Sequence, residues 1–491
     1  MTSSSAPIAP SSRDLDRRLI QGIAWTGVMK WFGQIVSWVS TVVVARLLEP
    51  SDYGVVGMAM LFLGLVMLVN EFGFGAAIIA HRGLSSDQRA QINSFAVLLG
   101  IATYGVCVAA AIPLAMFFGV PALRSVIVVM GIPLVFGALR TVPTSLLERD
   151  LRFKLLAGIE TIQVCFQAVV VVGLALAGFG YWALILSSVA GALVSTALIV
   201  MSRPSGFSRP RPTSISSALA FSNHVLVSRV AWYVQSNADF LVAGRVLGQA
   251  ALGVYTLAWT IASAPVDKIT ALVTRVAFPI FANIQDDAVA LRRYLLNLTE
   301  GLALPTFAAG TGLALVADDL VHLVLGSKWE AAITPLRLLA LLAAYRATVP
   351  LLPQILNVTG DSRFGMYSAL AKVILLPGAF YVGSRWGISG IAAAWLLIHP
   401  VTTLPVYVRV FHRIGLRPTE YLRSMVPSFN GALAMAATVV ALRLVLSSQW
   451  HPAARFSLEV IVGGASYAGA IVVLHRRRLH RFVDLLKILR G

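Results

Sequence analysis

Apolar runs long enough to cross a lipid bilayer follow one another almost without interruption from residue 20 to residue 475, and this succession restricts the fold more than any other feature. A helix rises about 1.5 Å per residue, so roughly 20 mostly apolar residues cross the hydrocarbon, and helical hydrogen bonding satisfies the backbone on the way. Fourteen runs are read as spans: 20–47, 53–80, 91–117, 122–146, 153–177, 180–201, 216–246, 252–282, 292–317, 331–357, 365–383, 388–408, 427–446 and 457–475. The polar breaks between them are too short to fold as soluble domains. Charged residues form only 12% of the chain, against about 25% in soluble domains, which excludes a water-soluble fold of this make-up. The expected class is an all-α integral membrane protein of about 14 transmembrane helices.

A formal charge of +18 invites a nucleic-acid partner until the basic residues are located. If both ends lie on one side, 24 of the 39 Lys and Arg fall in the loops and tails of that side, among them Arg17, Arg149, Arg152, Arg209, Arg292, Arg413, Arg417 and Arg476. Seven fall on the other side, including Arg46, Arg124 and Arg245. Such an excess marks the cytoplasmic side, so both termini are expected there and no nucleic acid is invoked. The apolar stretch after the polar first nineteen residues is too long for the core of a signal peptide. The expected divisions are a tail at 1–19, a first lobe at 20–201, an Arg- and Pro-rich linker at 202–214, a second lobe at 215–411, two further helices at 412–475 and a basic tail at 476–491.

An internal repeat appears at an offset of 199 residues, where Val43, Arg46, Leu48, Gly54, Val55 and Ala59 recur as Val242, Arg245, Leu247, Gly253, Val254 and Ala258. Span one then matches span seven. Both halves enter the membrane from the same side, which predicts two six-helix lobes related by a parallel repeat.

Eight basic residues lie inside spans, where a charge costs several kcal/mol unless it meets water or a partner: Lys30, Arg140, Arg229, Lys268, Arg275, Arg337, Arg346 and Lys372. Lys30 and Arg229 sit near mid-span and are equivalent under the repeat. Lys30 opens a polar stripe with Gln34, Ser37 and Thr41; Arg229 opens another with Tyr233 and Ser236. These stripes predict a hydrated cavity that binds substrate, with Arg346 and Lys372 as further candidates; the competing reading is that each cation neutralises a nearby acid. Arg140, Lys268, Arg275 and Arg337 lie nearer the span ends, where long side chains snorkel. The acids inside spans are Glu71, Glu160, Asp239 and Asp267, each a partner for an arginine or a cation site; Glu71 and Asp239 are the candidates for a coupling ion, H+ or Na+.

Catalytic and cofactor signatures are not found. Gly73 and Gly75 have Ile78 where a dinucleotide loop needs its third glycine, and neither a phosphate-binding loop nor an HExxH pair is present. Cys107 and Cys165 both lie in apolar runs and build neither a disulfide framework nor a thiolate metal site. No cofactor, no metal and no enzymatic activity are expected.

Several segments occur in a familiar order: Ala45-Arg46-Leu47-Leu48-Glu49-Pro50-Ser51-Asp52-Tyr53-Gly54, Phe72-Gly73-Phe74-Gly75-Ala76-Ala77, Leu147-Glu148-Arg149-Asp150-Leu151-Arg152-Phe153-Lys154, Asn237-Ala238-Asp239 before Leu247-Gly248, and Val324-Leu325-Gly326-Ser327-Lys328-Trp329. From about residue 15 to about 430 the chain resembles the Wzx-type polysaccharide flippases of the multidrug/oligosaccharidyl-lipid/polysaccharide exporter superfamily. The resemblance implies two six-helix lobes around a cationic cavity, two additional C-terminal helices and alternating access. It implies an oligosaccharide carried on undecaprenyl pyrophosphate across a bacterial inner membrane, with membrane lipids and polymerase or export proteins as neighbours. The family's basic cavity residues match Lys30 and Arg229 by position. The alternatives are a multidrug or cation antiporter of the same superfamily, a peptidoglycan-precursor flippase, a membrane glycan polymerase or acyltransferase, and a scaffold. Acids would be expected to dominate a cavity for cations, and the enzymes would need a sizeable loop or a His/Asp site, whereas His399 is the one histidine deep in a span.

Overall fold

The computed structural model describes residues 12–70, 84–209, 232–446 and 450–476, together with Ile78 and Val230. The described residues are helical throughout and contain no strand. The helices are α1 (Ser12–Leu47), α2 (Pro50–Asn70), α3 (Ser86–Phe118), α4 (Leu123–Arg149), α5 (Phe153–Leu176), α6 (Tyr181–Ser202), α7 (Ala238–Val242), α8 (Gly248–Asn283), α9 (Ala288–Leu315), α10 (Ala317–Leu320), α11 (Ile333–Arg346), α12 (Leu351–Val358), α13 (Ser362–Gly383), α14 (Gly387–Ile414), α15 (Pro418–Val445) and α16 (Pro452–Leu474). Eleven helical stretches among these residues are long and apolar enough to cross a membrane, or 12 if α9 and its continuation, bent by 68°, count as one span. One of the eleven runs from Ser362 to Ile414 and contains both α13 and α14, divided by a 3-10 turn at Ser384–Trp386. The protein is thus a multi-pass, all-helical membrane protein.

Local chemistry fixes the helix ends. Ser85 caps α3 through the Gln88 amide while the Gln88 side chain accepts from the Ser85 amide, and Gly119 closes the helix at a φ of 68°. Asp287 accepts from the amides of Val289 and Ala290 to start α9, and prolines occupy the first turns of α15 and α16, where no amide is missed. In the turn before α13, Arg409 binds Asp361 through two nitrogens at 2.5 and 3.1 Å, and this guanidinium holds the Asp361 carboxyl below its usual range.

The chain divides into two compact units, Met1–Leu48 with Phe62–Val227, and Glu49–Leu61 with Ser228–Gly491. In the first, α3 packs on α4, α4 on α6, α6 on α5, and α5 on α1. The start of the linker lies along α3: Asn93 donates to the Gly206 carbonyl, Ser94 accepts from the Ser208 amide, and the Ser208 hydroxyl donates to Asp87 at 2.7 Å.

In the second unit, α8, α9 and α11 pack together, α14 lies against α11 and α13, and α15 covers α9. The α16 helix docks through Tyr467, whose hydroxyl donates to the Leu304 carbonyl at 2.6 Å and whose ring meets Gly431. Arg443 of α15 holds Glu459 of α16 at 2.6 and 2.9 Å, and also reaches Asp319 and the Leu315 carbonyl, so the bend after α9 is tied to the last two helices. Asp318 beside it pairs with Arg337. Arg337 was expected to snorkel; a carboxylate within reach removes the need.

The first part of α2 crosses α8 with almost no separation. A Cβ on Gly54 would lie 1.7 Å from the Gln249 carbonyl oxygen, and a Cβ on Gly253 would lie 1.7 Å from the Pro50 carbonyl oxygen. Both positions therefore require glycine. Gly54 and Gly253 are repeat partners, as are Pro50 and Gln249, so the crossing maps onto itself under the 199-residue offset.

Candidate functional site

In the first unit polar stripes run along α1 and α5 and meet at Lys30 and Glu160. On α1 the half-buried Gln34, Ser37 and Thr41 follow Lys30 at helical spacing, and the Thr41 hydroxyl donates to the Ser37 carbonyl at 2.8 Å. On α5 the polar positions are Glu160, Gln163 and Gln167, three and four residues apart, a stripe that reading α1 alone does not reveal. Lys30 Nζ lies 3.8 Å from Glu160 Oε2, with side chains 63% and 61% exposed. Arg140 of α4 turns inward rather than toward a membrane surface: its guanidinium donates to the buried Ser195 hydroxyl at 2.9 Å and feels the Glu160 charge. The competing reading of Lys30, neutralised by an acid, is met in part, by a single long and exposed contact.

The stripe expected from Arg229 is covered only in part. Arg229 and Glu71 lie outside the described residues. Tyr233 donates its hydroxyl to the Leu61 carbonyl at 3.0 Å, within reach of Met60 O at 3.3 Å, which ties it to α2; Ser236 is half-buried beside it.

Asp239 sits deep in the second unit. It is fully buried, and one carboxylate oxygen accepts from the Tyr255 hydroxyl and the Trp395 indole, each at 2.7 Å, while its other oxygen has no partner. Rings continue outward from it: Trp259 lies 5.8 Å from Trp395, Trp395 5.4 Å from His399, and His399 6.0 Å from Tyr345. Arg346 stacks over Trp259 at 4.8 Å, approaches Ser263 at 3.4 Å and pairs with the Asp267 carboxylate at 3.2 Å. Lys372 is buried and donates to the Thr403 hydroxyl at 3.3 Å, while His399 leaves Nδ1 unpartnered.

Asp239, Arg346, Lys372 and His399, named from four separate segments, therefore cluster in one unit. Sequence reasoning missed Tyr255, Trp259 and Trp395. The signal was present in the spacing: Tyr255, Trp259, Ser263 and Asp267 recur every four residues on α8, as Trp395, His399 and Thr403 do on α14. Among the described residues no three His, Cys, Asp or Glu side chains approach closely enough to hold a metal ion. What the faces offer chemically is exposed positive charge with amide and hydroxyl groups along the same helices in one unit, and a buried carboxylate among aromatic rings in the other.

Comparison with known proteins places this arrangement. Over 454 residues the chain is 26% identical to the lipopolysaccharide biosynthesis protein WzxC of Escherichia coli, covering 89% of each chain. It is 26% identical over 483 residues to the succinoglycan biosynthesis transport protein ExoT of Rhizobium meliloti, covering 96% of each. Its fold resembles the lipid II flippase MurJ in an inward closed conformation, with a TM-score of 0.71, 11% identity, and coverage of 92% of this chain and 99% of that one. Residues 43–334, more than half of the sequence, match the family model described as polysaccharide biosynthesis protein, and the chain belongs to that family.

Proposed function

We propose that the protein flips a lipid-linked oligosaccharide, carried on undecaprenyl pyrophosphate, across a bacterial inner membrane for the synthesis of exopolysaccharide, capsule or O-antigen. The observation that carries this reading is the exposed basic group of the first unit, Lys30, which has one carboxylate at 3.8 Å, together with Arg140, which a hydroxyl rather than an acid holds on α4. A pyrophosphate bears about two to three negative charges and cannot enter hydrocarbon unaided, whereas basic side chains in a low-dielectric surrounding attract it strongly. Gln34 and Ser37 on α1, with Tyr233 and Ser236 before α7, supply groups that hydrogen-bond sugars. The apolar tail stays in lipid.

In this reading about 14 spans form two six-helix lobes and two added helices, with both termini cytoplasmic, and the reciprocal Gly54 and Gly253 crossing supports the parallel repeat. Arg229, Arg346 and Lys372 extend the basic set. Asp239 and Glu71 are the sites for a coupling H+ or Na+, and polymerase or export proteins receive the product. The test is polymer export in cells carrying Lys30→Ala or Arg229→Ala. Export should be abolished while the protein remains in the membrane at normal level; normal export from both variants removes the assignment.

A further inference from the structure

Among the described ion pairs, one set contrasts with two others. Arg443 and Glu459 exchange two short bonds, the Glu459 side chain is fully buried, and Arg455 and Asp319 complete the set. Lys30 and Glu160 make a single contact of 3.8 Å with both side chains more than half exposed. Arg346 and Asp267 also make one contact, at 3.2 Å, with the carboxylate 59% exposed. The first set holds helices together; an exposed pair contributes little to folding.

The second-unit pair has a further property. Arg346 is held by more than its carboxylate: its guanidinium stacks on the Trp259 face and reaches Ser263. Those two contacts do not depend on Asp267. A carboxylate that touches a cation by one exposed contact inside a membrane span can be exchanged for another anion.

We propose that Glu160 in the first unit and Asp267 in the second are internal competitors for the basic groups, setting the charge an incoming headgroup must carry to bind. This rests on the flippase reading above. With no cargo, each carboxylate compensates its cations, which low dielectric would otherwise penalise. A pyrophosphate, with more than one charge and several acceptor oxygens, displaces the carboxylate; the single phosphodiester charge of a bulk anionic phospholipid does not. The same competition returns the cations to their internal partner on release, so binding is strong enough to load and weak enough to unload. Glu160 and Asp267 are specificity-determining residues in this scheme, since they act on cations that touch the headgroup.

The experiment uses purified full-length protein in neutral detergent, with geranylgeranyl pyrophosphate as the probe and phosphatidylglycerol as competitor. Wild-type protein should bind the probe and resist the competitor, and Lys30→Ala should weaken probe binding; a wild-type chain indifferent to the probe overturns the flippase reading itself. Glu160→Gln and Asp267→Asn should each bind the probe about two- to fivefold tighter, the scale of removing one exposed competing charge. They should also admit phosphatidylglycerol and, in proteoliposomes, slow turnover. Glu160→Asp, which keeps the charge, should retain wild-type selectivity. Unchanged or weaker probe binding in both neutral variants, with the competitor still excluded, overturns the competitor role while leaving the flippase reading standing.

Discussion

Asp239 is the side chain whose surroundings are most demanding. The Trp395 indole N–H has no acceptor capacity of its own and donates only to this carboxylate, so its environment is satisfied by an oxygen at that position and by nothing smaller. Asp239→Ala should lower stability by about 1–3 kcal/mol through the orphaned donor alone, read as a fall in the melting temperature of the detergent-solubilised protein. Asp239→Asn keeps an acceptor for Trp395 and should melt close to wild type, so that a loss of ion dependence in that variant reports on coupling rather than folding. The sequence pointed to Asp239 because an acid inside a span is costly. It did not point to Trp395, which is 156 residues away and reaches Asp239 only through the packing of α14. The same holds for Lys30: its place on a polar stripe was legible, whereas its pairing with Glu160 depends on how α1 and α5 come together.

Helices were more legible than their junctions. Long apolar runs bounded by Ser, Asp, Pro and Gly gave α3 to α6 within a few residues, because hydrophobic length and capping chemistry are both local. The π-helical segments Ala243–Leu247 and Val321–Leu325, and the 68° break after α9, left no local signal that distinguishes them from continuous helix. The α2 and α8 crossing combines both cases: the glycines were visible as repeat partners, but only the fold shows the two backbones meeting there. Gly54→Ala and Gly253→Ala each place a methyl group against a carbonyl, an overpacking that costs about 1–3 kcal/mol or more when backbone must move. Gly27→Ala and Gly105→Ala, which meet open space, should be neutral. Comparing the four by thermal unfolding separates a constraint at the crossing from a general intolerance of alanine at helical glycines.

For the molecule as a whole, the proposed orientation is checked by labelling. In a background with Cys107 and Cys165 replaced, Phe179→Cys before α6 should react with a membrane-impermeant maleimide on spheroplasts, and Thr419→Cys at the start of α15 only after permeabilisation. The opposite pattern inverts the topology. The crossing of α2 and α8 also bears on how such a chain arose. A contact in which residue i meets the copy of its neighbour, and the copy meets the original, is the contact two identical subunits make across a two-fold axis. On the parallel repeat proposed above, a single-repeat ancestor of half this length would form this contact in a homodimer without any new residue, and fusion would leave each half free to diverge. Lys30 with Glu160 in one copy, and a buried Asp239 with Trp395 in the other, are the kind of difference that such freedom permits.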